Sequence, residues 1–154
     1  MSLSCDVIAA LNGRRLATAE SCTGGGIGAA LTAVPGSSAV YVGGIISYTN
    51  DVKQRLLGVP EQILESDGAV SAAVAEAMAV GARAALNADI VVSATGLAGP
   101  GGDDFGNPVG TVFIGYSDES CTVSKKFHFS GDRDAVRQQA VRAALEMILD
   151  MFNK

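Results

Sequence analysis

The stretch Thr18-Ala19-Glu20-Ser21-Cys22-Thr23-Gly24-Gly25-Gly26 constrains this chain more than any other. An apolar pair, Leu16-Ala17, leads into it, and an apolar, Ala-rich segment from Ile27 to Val34 leads out. That order predicts a strand, a polar glycine turn and a helix. Such a turn sets two hydroxyls and a thiol beside glycine amides at a helix N-terminus, where an anion or a developing oxyanion can be held.

The remaining segments alternate in the same way. A short helix over Asp6–Leu11 stops at Asn12-Gly13, and a strand spans Arg15–Ser21. The helix after the turn covers Gly26–Ala33 and ends at Pro35-Gly36, and Val40–Tyr48 reads as a second strand. Asn50 looks like the cap of a helix running to Leu57. Ser71–Leu86 is a long Ala-rich helix, and Asp89–Ala94 is a short apolar strand buried on both faces. Gly96–Pro108 is a Gly/Pro-rich loop of the length that usually carries function. Val109–Tyr116 and Cys121–Phe129 form a late strand pair, and a final helix covers Asp132–Phe152. The pattern predicts one domain over residues 1–154: a three-layer α/β/α sandwich around a mixed, mostly parallel sheet of about five strands.

Composition bears on partners. The net charge of −5 argues against a broad basic face for nucleic acid. No apolar run reaches membrane-spanning length, and Cys5, Cys22 and Cys121 form neither a CxxC pair nor an even disulfide set. The chain reads as cytoplasmic, with no nucleic acid or membrane as partner, no metal site and no cofactor requirement.

Several chemistries compete for the glycine turn. Gly24, Gly26 and Ala29 satisfy a loose G-x-G-x-x-A, with Asp51 further on, as a dinucleotide-dependent oxidoreductase would have. A Walker A loop fails because no Lys-Ser/Thr pair follows the glycines. Ser21 as a nucleophile needs a base, and the only histidine, His128, lies in the late strand on the face opposite Phe127 and Phe129. A Ser-Lys arrangement remains, with Lys53 as the candidate. On the helical wheel Lys53 falls between Leu56 and Leu57, in the first turn of its helix. Burial and the positive dipole end would both depress its pKa there; the plainer alternative is a lysine snorkelling over apolar surface. Tyr48 can relay a proton or be a half-buried strand residue. Cys22 is either a rival nucleophile or a small buried side chain. Arg133 and Arg137 share the arc of Val136, Ala140, Ala144 and Ile148, so they face inward, either toward a phosphate or carboxylate or into an ion pair with Glu20 or Asp132. Arg142 and Glu146 face outward as a solvated pair. The loop opening Thr95-Gly96-Leu97-Ala98-Gly99 follows a buried strand, where open α/β sheets bind ligands.

The segments TAESCTGG (Thr18 to Gly25), PGSS (Pro35 to Ser38), YTNDVK (Tyr48 to Lys53), LLGV (Leu56 to Val59), GAVS (Gly68 to Ser71), ATGLAGPGG (Ala94 to Gly102), PVGTV (Pro108 to Val112) and GDRDAVR (Gly131 to Arg137) run in order through nearly the whole chain. Together they resemble the CinA C-terminal domain, or PncC, family of nicotinamide-nucleotide amidohydrolases. CinA proteins carry a further domain in front, so the sequence reads as the stand-alone form. The resemblance implies hydrolysis of the carboxamide of nicotinamide mononucleotide to nicotinic acid mononucleotide and ammonia, as in NAD recycling. It implies a Ser-Lys-type mechanism on Ser21 and Lys53, with Tyr48 assisting. Thr95 and one arginine, Arg133 or Arg137, match other functional positions. Amides at Thr23, Gly24 and Gly25 are expected to hold the oxyanion, and Gly96 and Gly99 to line the nucleotide site. The family also allows a homodimer. A catalytically silent nucleotide-binding module of the same fold is the alternative from another class.

Overall fold

The computed structural model describes residues 2–154. Its elements run α1 (Leu3–Ala10), β1 (Leu16–Glu20), α2 (Gly26–Thr32), β2 (Tyr41–Ile46), α3 (Asn50–Leu57), α4 (Glu61–Ser66), α5 (Ala72–Ala85), β3 (Ile90–Gly96), β4 (Thr111–Ser117), β5 (Thr122–His128) and α6 (Arg133–Phe152). A single 3₁₀ turn, Ser37–Ala39, precedes β2.

The five strands form one mixed sheet in the order β2-β1-β3-β4-β5. Strand β1 pairs in parallel with both β2 and β3, whereas β3–β4 and β4–β5 are antiparallel. Four of the five strands therefore point the same way, and only β4 runs against them. Helices α1, α2 and α6 cover one face, over a core that includes Leu16, Ile27, Val92, Ile114 and Ile148. Helix α5, with α3 and α4, covers the other, over Ala17, Ala19, Val74, Met78 and Val91. These are the three α/β/α layers that the alternation of elements implies.

Strand β3 is buried along nearly its whole length, with Val92 and Ala94 facing one core and Val91 the other. Chain order explains where a ligand would sit. From β1 the chain crosses by α2 to β2 on one side, then by α5 to β3 on the other. Between β1 and β3 the connections diverge, which leaves a crevice at the carboxyl ends of the strands. Ser21 follows β1 and Thr95 lies near the end of β3; the Ser21 N–H donates to the Ala94 carbonyl at 2.9 Å.

Several boundaries differ from the sequence reading, for local reasons. Helix α1 begins at Leu3, because the Ser2 hydroxyl accepts from the Cys5 amide and caps it early. The cap of α3 is Thr49, whose hydroxyl accepts from Val52 N at 3.3 Å, and Asn50 is the first helical residue instead. Helix α4 is an element beyond those the sequence pattern predicts: it has six residues, Pro60 in front and no side-chain cap. Strand β2 ends at Ile46, so Tyr48 lies beyond it rather than within it.

Candidate active site

The three parallel strands deliver three chain segments to one place. Residues 21–23 leave β1, residues 47–49 leave β2, and residues 95–99 leave β3. Together with the 68–70 link and the start of α6 they enclose a cavity of about 590 Å³. Ser21, Cys22, Tyr48, Lys53, Thr95, Gly96, Gly99 and Arg133 all line it.

Lys53 lies at its floor and is only 1% exposed. Its Nζ is 2.9 Å from Ser21 Oγ, 2.8 Å from the Ser47 carbonyl and 3.3 Å from the Tyr48 carbonyl. No ion pair includes it among the described residues. Burial lowers its pKa from 10.5 to about 8, because the ammonium has lost water and gained no carboxylate. Lys53 shares its buried face with Leu57, whereas Leu56, its other expected neighbour on the wheel, points to solvent. Lys53 is not a snorkelling lysine, since its amine ends on buried carbonyls.

Cys22 differs from the expectation for a helix-terminus thiol. Burial pushes its pKa up from 9.0 to about 11, so it carries almost no thiolate at neutral pH. His128 also lies away from the cavity, with its ring nitrogen against the Val109 carbonyl.

The glycine turn is built around an anion, and the anion belongs to the chain. Glu20, 2% exposed, turns its carboxylate onto the start of α2. One oxygen accepts from the Thr23 hydroxyl at 2.6 Å and the Ile27 amide at 2.9 Å. The other accepts from the Gly28 amide at 3.0 Å and the Thr18 hydroxyl at 3.3 Å. The helix dipole and two amides are thereby satisfied internally. Gly24 (φ 59°) and Gly25 (φ 101°) adopt left-handed backbone to make the bend that allows this, and the Gly24 amide bonds back to the Ser21 carbonyl. A pyrophosphate has no place at α2, which removes the physical basis of the dinucleotide reading.

This geometry corrects part of the expected site. Thr23, Gly24 and Gly25 do not line the cavity, and Arg137 does not either. Arg137 donates to the Cys22 carbonyl at 3.1 Å and the Thr23 carbonyl at 3.2 Å, so it braces the turn from behind. Of the two arginines Arg133 reaches the cavity, and it is exposed rather than inward-facing. Its guanidinium donates to the Gly99 carbonyl at 2.7 Å and to the Tyr48 hydroxyl at 3.1 Å, with no carboxylate partner among the described residues. Neither arginine pairs with Glu20 or with Asp132, which caps α6 through the Ala135 amide. Tyr48 is 61% exposed, and its hydroxyl faces Arg133 while its carbonyl faces Lys53. The Thr95 hydroxyl donates to the Ala69 carbonyl at 2.7 Å, fixing the end of β3 to the 68–70 link. The expected outer pair Arg142–Glu146 is present at 2.8 Å.

Some elements of the site had no sequence signal. The Ser47 carbonyl is main chain, and any residue could supply it. Phe105 and Asp104 enter the cavity wall only because the 97–110 loop folds back; Asp103 accepts from the Phe105 and Asn107 amides and draws that loop together. The role of Glu20 is testable through stability. Glu20→Ala strands two buried amides and two hydroxyls, so urea unfolding should show a loss of about 3–5 kcal/mol. An unchanged unfolding midpoint would mean that water replaces the carboxylate without penalty.

These features define an α/β domain with a buried serine–lysine pair in a cavity at the carboxyl ends of its parallel strands. The CinA C-terminal domain model matches residues 2–152, and the chain belongs to that family. It is 50% identical over 137 residues to the nicotinamide-nucleotide amidohydrolase PncC of Pseudomonas putida, covering 89% of this chain and 86% of that protein. A CinA-like protein of Geobacter metallireducens is 48% identical over 136 residues; the match covers 88% of this chain but only 33% of that longer protein. Among solved structures, the competence damage-inducible protein A of Klebsiella pneumoniae superposes with a TM-score of 0.94 at 38% identity, over 96% of this chain and 93% of that one. A competence/damage-inducible protein of Agrobacterium tumefaciens gives 0.93 at 40% identity, over 99% and 94%. Among the described residues no helix is long and apolar enough to cross a membrane.

Proposed function

We propose that this chain hydrolyses the carboxamide of nicotinamide mononucleotide to nicotinic acid mononucleotide and ammonia, with Ser21 as nucleophile and Lys53 as its base. The observation that carries the reading is the 2.9 Å contact between Ser21 Oγ and an uncompensated, buried lysine whose pKa has fallen to about 8. The 50% identity to a protein named as a nicotinamide-nucleotide amidohydrolase supplies the substrate class.

The surroundings of Nζ favour the direction of proton transfer. The Ser47 and Tyr48 carbonyls can only accept, so a neutral Lys53 keeps its two N–H groups on them. Its lone pair is then left facing Ser21 Oγ. Lys53 takes the hydroxyl proton as Oγ attacks the amide carbon. The tetrahedral oxyanion is assigned to the amide of Cys22, the residue that follows the nucleophile and lines the cavity; among the described residues that amide donates to no other residue. Collapse breaks the C–N bond, and Lys53 returns the proton to the departing ammonia. Water, deprotonated by Lys53 in turn, then attacks the acyl carbon; the C–Oγ bond breaks, Lys53 returns the proton to Ser21 Oγ, and the acid product leaves and ionises.

Arg133, the cavity arginine with no carboxylate partner among the described residues, is assigned to the nucleotide phosphate, with Tyr48 holding its guanidinium in place. Arg133→Ala should raise KM for nicotinamide mononucleotide by about tenfold to a hundredfold while kcat changes little. An equal loss with a substrate lacking the phosphate would reassign Arg133 to the chemistry. The whole reading is tested by following ammonia release from nicotinamide mononucleotide. A catalytically silent module would bind the nucleotide and release none.

A further inference from the structure

The lining of the cavity carries groups of both charge signs. One wall carries Arg133, held by Gly99 and Tyr48. Another carries Phe105 and Asp104, beside the 68–70 link. Phe105 is 49% exposed. It is not loose. Its amide donates to Asp103 at 3.1 Å, and the same carboxylate collects the Asn107 amide and side chain. Asn107 in turn donates to the Val70 carbonyl at 3.2 Å, tying the loop to the 68–70 link. The ring packs against Gly68, where a side chain would displace it: an added Cβ would lie 2.6 Å from Phe105 Cδ1.

Asp104 contrasts with its neighbour. Asp103 has both oxygens engaged within the loop, whereas Asp104 has no hydrogen-bond or ion-pair partner among the described residues. A fixed aromatic ring beside a free carboxylate is the pair of features that attracts a flat organic cation. Such a cation at this wall and an anion at Arg133 describe one ligand carrying both charges.

We propose that Phe105 and Asp104 recognise the positively charged ring of an N-ribosylated pyridine, and so make the cavity selective for the quaternised nucleotide over neutral aromatic amides. This rests on the amidase reading for the identity of the ligand. In that reading the ring nitrogen of nicotinamide mononucleotide bears a full positive charge once the ribose is attached. Free nicotinamide and the reduced, dihydropyridine form of the nucleotide lack that charge. The reduced form keeps the ribose phosphate, so it isolates the ring.

The test is titration calorimetry of the intact protein with nicotinamide mononucleotide and with its reduced form, read separately from ammonia release. Phe105→Leu should weaken binding of the oxidised nucleotide about fivefold to tenfold and leave the reduced form within about twofold. Phe105→Tyr should restore the difference. Asp104→Asn, which cannot disturb the loop core, should also weaken the oxidised form selectively and make its affinity less salt-dependent. Equal losses for both forms, or no loss for either in both variants, would overturn the proposal. Selective binding without ammonia release would instead overturn the amidase reading and leave the ring-recognition wall standing.

Discussion

Replacing Ser21 with alanine is expected to lower turnover of nicotinamide mononucleotide by about 10⁴–10⁶-fold, with nucleotide affinity within about threefold of wild type. The magnitude follows from the role: without Oγ there is no covalent route, and only water remains to attack an amide. The fold should tolerate the change, because Ser21 is fixed by its backbone bond to Ala94 and Lys53 keeps both carbonyl partners. The neighbouring thiol offers no rescue. Burial holds Cys22 up at about 11, so Cys22→Ala should retain activity that Ser21→Ala loses. Full turnover by Ser21→Ala, measured by ammonia release, would hand the nucleophile's role to Cys22 or to a water.

The second large effect belongs to Lys53. Lys53→Arg places a permanently charged guanidinium where a neutral amine is needed, and Lys53→Met keeps the bulk without the base. Either change should lower kcat/KM by about 10²–10⁴-fold. In the proposed mechanism only the deprotonated lysine is competent, and burial lowers its pKa to about 8. Activity should therefore rise about tenfold per pH unit below that value and flatten above it, since only about one lysine in ten is neutral at pH 7. The same shift acts on stability, with a definite sign. The unfolded chain holds this proton up to the ordinary value of 10.5, whereas the folded chain releases it from about 8. Between the two the unfolded state binds more protons, so stability gains with rising pH and loses again as pH falls through the folded value. The gain from this one group is about 3 kcal/mol at most, and it should vanish from the unfolding curves of Lys53→Met. A pH-independent difference between the two proteins would show that Lys53 titrates normally.

Much of this site was legible in the sequence because its parts are punctuated by short-range rules. Glycines after a polar strand end mark the turn at Ser21, and helical periodicity puts Lys53 on the buried side of α3. An apolar run ending in Thr95-Gly96 marks the end of a buried strand. The failures have a common cause, which is that side chains choose partners in three dimensions. Glu20 reads as one more polar residue before the glycines, yet its carboxylate takes the Ile27 and Gly28 amides at the start of α2 and so occupies the anion site of that helix end. Arg133 and Arg137 are one helical turn apart and look alike on a wheel; only the position of the turn behind α6 decides that Arg137 braces it and Arg133 reaches the cavity. Leu56 and Leu57 are both apolar, and which of them is buried depends on α5 lying beside α3. The cavity wall at Phe105 depends on a loop whose shape is set by hydrogen bonds to Asp103, which no periodicity announces.

The central claim is that a neutral Lys53 activates Ser21 toward the carboxamide of a nicotinamide nucleotide. Its most direct test is the dependence of kcat/KM on pH, from about pH 6 to about pH 10, for ammonia release from nicotinamide mononucleotide by the wild type and by Ser21→Ala. A single ascending limb with its midpoint at about 8 in the wild type, and none in the variant, is the predicted result. No ammonia at any pH, or a flat profile shared by both proteins, would contradict it.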